Sequence, residues 1–167
     1  MTTLTRATTH TRTHTATYLS DVIMGAIGDI LGALGINPAT FFTDWDQDQR
    51  AIAAWIEAGS LEQVVLECHR PDGTVRPVFE FPITYEPRGE GPTSFVNSRA
   101  ALARYQAKLT SVPSKTTHRL FCTFNGYHTH QRGWSPGTRA STSGLRSTSF
   151  GSLAEAPHAR ANLRCLR

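Results

Sequence analysis

The chain has 167 residues, 39% of them hydrophobic, with 17 Lys and Arg against 13 Asp and Glu. This length suits one domain with its own core, and we find neither a run of roughly 18 apolar residues nor a hydrophobic signal region at the N-terminus. We therefore expect a cytoplasmic protein with no membrane partner. The three cysteines, Cys68, Cys122 and Cys165, are odd in number and widely spaced, which disfavours a disulfide framework.

Charge is distributed unevenly along the chain. Residues 1–18 sum to +2, and residues 19–114 carry seven basic and twelve acidic side chains. Residues 115–167 carry eight basic side chains against Glu155 alone. An acidic middle and a basic final third predict either docking of one on the other or attraction to an acidic partner.

The first half of the chain predicts a tail and two helices. Residues 1–15 are rich in threonine and poor in apolar side chains, which predicts disorder. Apolar residues then recur at helical spacing from Tyr18 to Leu34. A second helix is predicted from Asp44 to Ala58, with Thr43 as its cap.

A β-hairpin is predicted in the middle of the chain. Residues 61–68 are rich in β-forming residues, and Pro71-Asp72-Gly73 supplies a tight turn. The return strand alternates, with aromatic and aliphatic side chains at every second position from Phe79 to Tyr85. Pro77 and Pro82 lack a backbone donor, which predicts an irregular or edge-like partner for this strand.

The remaining elements surround a long polar stretch. A third helix is predicted from Ser94 to about Leu109, and a strand over residues 116–125. Residues 126–144 are rich in Gly, Ser, Thr, His and Arg, and a loop of this length inside a compact domain is usually functional. A short strand is predicted over residues 145–150, followed by a polar tail that carries arginines.

Several of these stretches, in this order, match a known family. Trp55-Ile56 precedes the strand at 61–66, the Asp72-Gly73 turn follows, and the return strand reads Phe79-Glu80-Phe81-Pro82-Ile83. Leu145-Arg146-Ser147 lies near the C-terminus. Eukaryotic spindle-checkpoint proteins have similar sequences around their hairpin. The chain resembles the HORMA domain over about residues 15–155, and is most similar to its bacterial branch.

The resemblance implies an α/β (α+β) fold with a central, mostly antiparallel sheet, three helices on one face, and a mobile C-terminal segment called the safety belt. It divides the chain into a disordered tail (1–15), a HORMA core (16–125), and the belt with its tail (126–167). In the family, the belt wraps over a closure-motif peptide that joins the sheet as a strand. The residues expected to bind peptide or form the belt are Tyr105, Phe121, Tyr127, Trp134, Leu145, Ser147 and Phe150.

The resemblance also implies partners. These are a closure-motif peptide or a second HORMA protein, a nucleotidyltransferase that makes cyclic oligonucleotides during phage infection, and a AAA+ ATPase that reopens the belt. Leu4, Arg6 and Thr8 in the N-terminal tail are the residues expected to engage the ATPase. No cofactor is expected.

Three other functions were weighed against this one. His118, Cys122, His128 and His130 could supply metal ligands, but their spacing matches no closed zinc motif. No glycine-rich phosphate loop or paired-carboxylate motif suggests an enzyme. The basic final third, with Tyr127, Trp134 and Phe150 available for stacking, leaves nucleic-acid binding as the alternative.

Overall fold

The computed structural model describes residues 2–86 and 94–167, with residues 2–10 as backbone only. The elements are α1 (Thr2–Leu34), α2 (Ala39–Thr43), α3 (Trp45–Glu57), β1 (Leu61–His69), β2 (Val75–Tyr85), β3 (Val96–Asn97), α4 (Arg99–Gln106), β4 (Thr117–Phe124), β5 (Ser147–Ala156) and β6 (Ala159–Leu166). The strands form one antiparallel sheet in the order β3-β5-β6-β2-β1-β4. The predicted α/β class is confirmed.

The helices cover one face of the sheet, which we call the helical face. Alternate strand residues, among them Leu66, Phe79, Phe81 and Leu163, join the apolar side chains of the helices in the main core. The opposite, outer face carries a much smaller apolar cluster around Val65, Val78 and Leu166. The outer face also holds two buried carboxylates, those of Glu67 and Glu80.

The hairpin of β1 and β2 forms as predicted, with regular pairing at Pro82 and one irregularity elsewhere. The β1–β2 register shifts between Glu67 and His69, close to Pro77. Yet β2 lies inside the sheet, between β1 and β6. Of the two alternatives for this strand, the irregular partner is confirmed and the edge-like one is wrong.

The predicted disorder of residues 1–15 is wrong for residues 2–15, which continue α1 as one helix. Helix propagation is easier than nucleation, and the stable stretch after Tyr18 extends backward. Two threonine hydroxyls in this part of α1 make hydrogen bonds. Thr13 Oγ1 donates to Glu57 Oε1 (2.7 Å), and Thr15 Oγ1 donates to the Pro157 carbonyl. The sequence did not reveal these partners, since they lie far along the chain.

Helix α1 is also the core helix of the domain. By length and composition, Thr11–Leu34 could cross a membrane, contrary to our expectation from the sequence, but half of its apolar window is buried inside the domain. Leu19, Ile23, Ile27 and Ile30 are fully buried. Its apolar character is therefore accounted for by the core.

The predicted polar tail after Phe150 is wrong, because this stretch forms the end of β5 and all of β6. Strand β6 pairs with both β2 and β5, and Ala159, Ala161, Leu163 and Cys165 point into the core. The predicted strand at 145–150 instead spans Ser147–Ala156. Small apolar residues alternating with Arg160, Asn162 and Arg164 were the available signal for a strand.

We expect Leu163→Ala to lower the free energy of unfolding by about 2–4 kcal/mol, because it leaves a cavity in a packed core. The matched control is Asn162→Ala, the neighbouring half-buried side chain, with a change within about 0.5 kcal/mol. Urea denaturation monitored by circular dichroism measures both. Equal, small effects would indicate that β6 is not part of the core.

Candidate functional site

Strand β4 ends the sheet with one side unpaired. Its inner side pairs with β1 from Leu61↔Phe124 to His69↔Thr117. Within residues 2–86 and 94–167, no strand pairs with its outer side. Alternate N–H and C=O groups along β4 therefore point outward, which makes it an edge that can accept another strand.

Residues 125–146, here called the crossing segment, connect β4 to β5 and pass around this open edge. The segment begins at Asn125, whose backbone N–H donates to Ser60 O (3.1 Å) and whose side-chain amide donates to Gly59 O (3.1 Å). It has contacts first on the helical face and then on the outer face. The open edge thus lies inside a loop of the chain.

The first anchor of the crossing segment is an aromatic cluster on the helical face. The indole N–H of Trp55, in α3, donates to the carbonyl of Thr129 at 2.8 Å. Trp134 packs edge-on against Trp55 with ring centroids 5.4 Å apart, and His128 stacks on Phe124 at 3.5 Å. These contacts hold residues 128–134 against α3 and the end of β4.

The second anchor is polar and lies on the outer face. The N–H of Ala140 donates to Glu67 Oε1 at 2.8 Å, and the other oxygen of Glu67 lies 2.9 Å from His69 Nε2. Arg139 Nη1 lies 3.5 Å from Glu80 Oε2. Two buried carboxylates of adjacent strands therefore hold consecutive residues of the crossing segment.

The charge of Glu80 is stabilised by its partners. Arg164 donates to both carboxylate oxygens of Glu80 at 3.2 Å. Burial acts to raise the pKa of Glu80, but the hydrogen bonds and charge of Arg164, with contributions from Gln63 and Arg139, outweigh it and lower the pKa. The carboxylate is ionised at neutral pH and available to Arg139.

These contacts also decide how the basic final third is placed. Arg139 and Arg164 meet Glu80, and Arg160 Nη2 lies 3.5 Å from Glu86 Oε1. Intramolecular docking of the basic third on the acidic middle is confirmed for these three arginines.

The crossing segment ends beside β6. Arg146 and Arg167 exchange backbone hydrogen bonds of 2.6 and 3.0 Å. Leu145 packs with Phe121 against the outer-face cluster of Val65, Val78 and Leu166. The segment therefore enters β5 from the outer face.

A cavity of about 420 Å³ lies between β4 and the crossing segment. Its walls include Leu120, Phe121 and Cys122 of β4 and His128, Trp134 and Gly137 of the crossing segment. The described residues that line it include no carboxylate, lysine or arginine. Trp134 Nε1 is buried and has no hydrogen-bond partner among the described residues.

Three titratable groups on or near β4 have pKa values that are shifted mainly by burial. Burial, with a smaller effect of Asp48, raises the pKa of the Cys122 thiol, which keeps it protonated and a poor nucleophile. Burial, then the charge of Asp44, raises the pKa of Asp48 to about 6. Burial lowers the pKa of His118, whose ring packs edge-on against Phe41. Among the described side chains, no group of three or more His, Cys, Asp or Glu could hold a metal.

The sequence pattern described as Bacterial HORMA domain 2 matches residues 3–166. The chain belongs to the bacterial HORMA family. No curated protein matches the sequence.

Solved structures share the HORMA fold with this chain. One is in the crystal structure of the mitotic checkpoint complex, with TM-score 0.74, 12% identity, and coverage of 91% of this chain and 97% of that chain. C. elegans HTP-1 bound to the HIM-3 closure motif has TM-score 0.71 and 13% identity, covering 91% and 89%. The E. coli MS115-1 HORMA:CdnC:Trip13 complex has TM-score 0.62 and 10% identity, covering 93% and 89%.

The predicted site residues of this HORMA domain fall into two groups. Phe121 and Trp134 line the cavity, and Leu145 packs beside Phe121. Tyr127 is 89% exposed and covers nothing. The side chains of Leu4, Arg6 and Thr8 lie outside the described part of the structure, although their backbone is helical.

The second group lies on or beside β5. Ser147 is the first residue of β5, and Phe150 packs on Tyr105 of α4 with centroids 5.6 Å apart. Strand β5 is four strands from β4, about 19 Å at the usual strand spacing. These three residues therefore do not line the β4 cavity.

Sequence reasoning missed the residues that hold the crossing segment. The sequence did not indicate that the Trp55 N–H binds the segment, nor that Glu67 and Glu80 hold it. The only local sign of these anchors was the presence of acidic residues inside otherwise apolar strands.

We expect Glu67→Ala to release the outer-face anchor. The Ala140 amide loses its acceptor, so its hydrogen exchange should rise by roughly tenfold or more, as expected from about 1–3 kcal/mol for such a bond. Glu67→Gln keeps an acceptor oxygen and should restore most of the protection. Glu62→Ala, an exposed acid on the same strand, is the control. Unchanged exchange at Ala140 in Glu67→Ala would contradict the anchor.

Proposed function

We propose that this HORMA domain is a peptide-binding signalling adaptor that catalyses no reaction itself. Its ligand is a closure-motif peptide, from a partner protein or a second HORMA protein, bound as an added strand on the outer side of β4. The crossing segment acts as the safety belt over that peptide.

The observation that carries this proposal is the open edge of β4 inside the loop of the crossing segment. An exposed edge normally invites aggregation, and proteins cover or blunt it. Here the covering chain stands off from the strand and leaves a cavity of about 420 Å³. An added strand would satisfy the outward backbone groups of β4 and fill this space.

The walls of the cavity favour certain side chains in the peptide. Trp55, Phe124 and Trp134 form its side on the helical face, and Phe121 contributes from the outer face. Because a strand projects alternate side chains to opposite faces, apolar residues at either face would be buried among these rings. A small rotation of the Trp134 indole would bring its unpaired N–H to an acceptor on the peptide.

The signalling role follows the bacterial relative. The E. coli MS115-1 HORMA protein forms a complex with CdnC and Trip13, and HTP-1 binds a closure motif. By analogy, we propose that the peptide-bound form of this chain helps activate a cyclic-oligonucleotide-producing nucleotidyltransferase in cytoplasmic anti-phage defence. A AAA+ ATPase would then remodel it.

Helix α1 offers a physical route for remodelling. Its N-terminal half contacts the end of α3 through Thr13–Glu57 and the β5–β6 turn through Thr15–Pro157. Pulling the chain from its N-terminus would remove α1 from the β5–β6 hairpin. Destabilising that hairpin would free the end of the crossing segment, which joins β5.

The peptide site is tested by selecting ligands from random peptides long enough to cover the eight residues of β4. Trp134→Ala should weaken a selected peptide by roughly tenfold or more, because it removes a ring from the cavity wall. Tyr127→Ala, a change of another aromatic in the same segment, should alter affinity less than about twofold. Fluorescence anisotropy measures both.

Two results would reject the peptide site: a folded wild-type chain that selects no peptide, or equal losses in Trp134→Ala and Tyr127→Ala. High salt should change the affinity little, since the cavity lining carries no carboxylate, lysine or arginine.

The remodelling step is tested separately by deleting residues 2–10. The deletion should slow ATP-driven peptide release by the cognate AAA+ ATPase and leave peptide affinity unchanged, because the described residues that line the β4 cavity lie between Trp55 and Gly137. The double substitution Leu4→Ser/Arg6→Ser keeps the N-terminal segment at full length. It therefore distinguishes recognition of these two side chains by the ATPase from a requirement for segment length. Peptide release at the wild-type rate after the deletion would show that the ATPase does not need residues 2–10.

A further inference from the structure

A second cavity, of about 530 Å³, lies at the end of the sheet where β1 turns into β2. It is bounded by the last residue of α1, by the start of β2, by the end of β6, and by the loop after α4 at residues 109–113. It shares no lining residue with the β4 cavity. Any ligand there would bind separately from the peptide.

Three arginines line this cavity: Arg70, Arg76 and Arg167. Arg70 Nε donates to the carbonyl of Arg76 at 2.9 Å, which orients a half-buried guanidinium across the hairpin. Among the described side chains, none of the three pairs with a carboxylate, in contrast to Arg139, Arg160 and Arg164. Their charge is therefore only partly compensated, by Asp72 near Arg70 and Arg76, while Arg167 contacts the neutral Tyr105.

Among the side chains that the structure describes, no acidic one lines the cavity. The nearest carboxylate on the same turn, Asp72, is exposed and already engaged, because its Oδ1 accepts the Thr74 hydroxyl (2.6 Å) and the Thr74 N–H (2.9 Å). These hydrogen bonds from Thr74 lower the pKa of Asp72, and Arg70 and Arg76 lie close enough for their charges to lower it further, so Asp72 offsets part of their charge. One carboxylate against three guanidiniums still leaves a net positive potential that attracts an anion. Guanidinium forks fit the oxygen pairs of a phosphate particularly well.

The rest of the wall is apolar. Leu34, Pro77, Leu109 and Val112 present hydrocarbon, and the exposed residues Thr110 and Ser111 also line the cavity. An inorganic anion would use only the arginines. A molecule with a phosphate at one end and a flat, largely apolar group at the other would use both walls, and the volume is in the range of small-molecule sites.

We propose that this cavity binds a nucleotide, with its phosphate held by Arg70, Arg76 and Arg167 and its base placed against Leu109, Val112 and Pro77. The site is independent of the peptide-binding function. Arg76 and Arg167 are exposed side chains, so their substitution leaves the core intact.

Isothermal titration calorimetry on the full chain, with AMP, inorganic phosphate and adenosine as probes, tests the site. AMP should bind at least roughly tenfold more tightly than either fragment, because only AMP uses both walls. Arg76→Gln/Arg167→Gln should weaken AMP by about tenfold or more. The control, Arg50→Gln, removes an exposed arginine that does not line the cavity and should change affinity less than about twofold.

Leu109→Ala tests the contribution of the apolar wall separately from that of the arginines. It should weaken AMP several-fold and leave phosphate binding unchanged. Equal affinity for phosphate and AMP would reduce the site to a simple anion contact and overturn the proposal, as would no AMP binding or AMP binding insensitive to the arginine substitutions. Binding of a selected peptide should be the same in all these variants, which shows that a failure here leaves the peptide site unaffected.

Discussion

The pairing of β6 with β2 determines the rest of this structure. Strand β6, at residues 159–166, pairs along the side of β2 that faces away from β1, and β5 pairs with the other side of β6. Strand β4, which precedes them in the chain, lies at the opposite border. The connection between β4 and β5 must therefore cross the width of the sheet, and it does so around the border formed by β4, which no strand of residues 2–86 and 94–167 covers.

The two anchors of that connection differ in physical character. On the helical face, rings pack in a partly buried cluster around Trp55, and such contacts tolerate small shifts. On the outer face, a backbone N–H meets a buried carboxylate, and an arginine meets another. Bonds of this kind depend strongly on geometry, and a broken one leaves an unpaired polar group in a dry site. The attachment on the outer face therefore depends more strongly on geometry than the attachment on the helical face does.

Some of this architecture could be predicted from the sequence because its signals are local. The β1–β2 hairpin follows from alternation around the Asp72-Gly73 turn, and α3 from the spacing of Ile52, Trp55 and Ile56. Strand β6 has the same alternation, but its inward residues include Ala159 and Ala161, whose small side chains give a weak apolar signal. The N-terminal part of α1 depends on contacts with Glu57 and Pro157, which no local rule provides.

The site was harder to predict for the same reason. Trp55 and Thr129 are 74 residues apart and Glu67 and Ala140 are 73 apart, so their pairing depends on the path of the crossing segment. Residue type alone did not separate Trp134, which packs, from Tyr127, which is 89% exposed. Tyr105 and Phe150 do contact each other, but beside β5, because β5 is on the far side of the sheet.

If a peptide binds along β4 as proposed, the loop of chain around β4 affects how long the peptide stays bound. An extended chain that passes between the strand and the crossing segment is threaded, and if folded domains flank it on both sides it has no free end to slide out. Its lifetime is then set by how often the covering segment detaches, whatever the strength of its own contacts with β4. Two peptides of very different affinity, each carried between bulky domains, would leave at nearly the same rate.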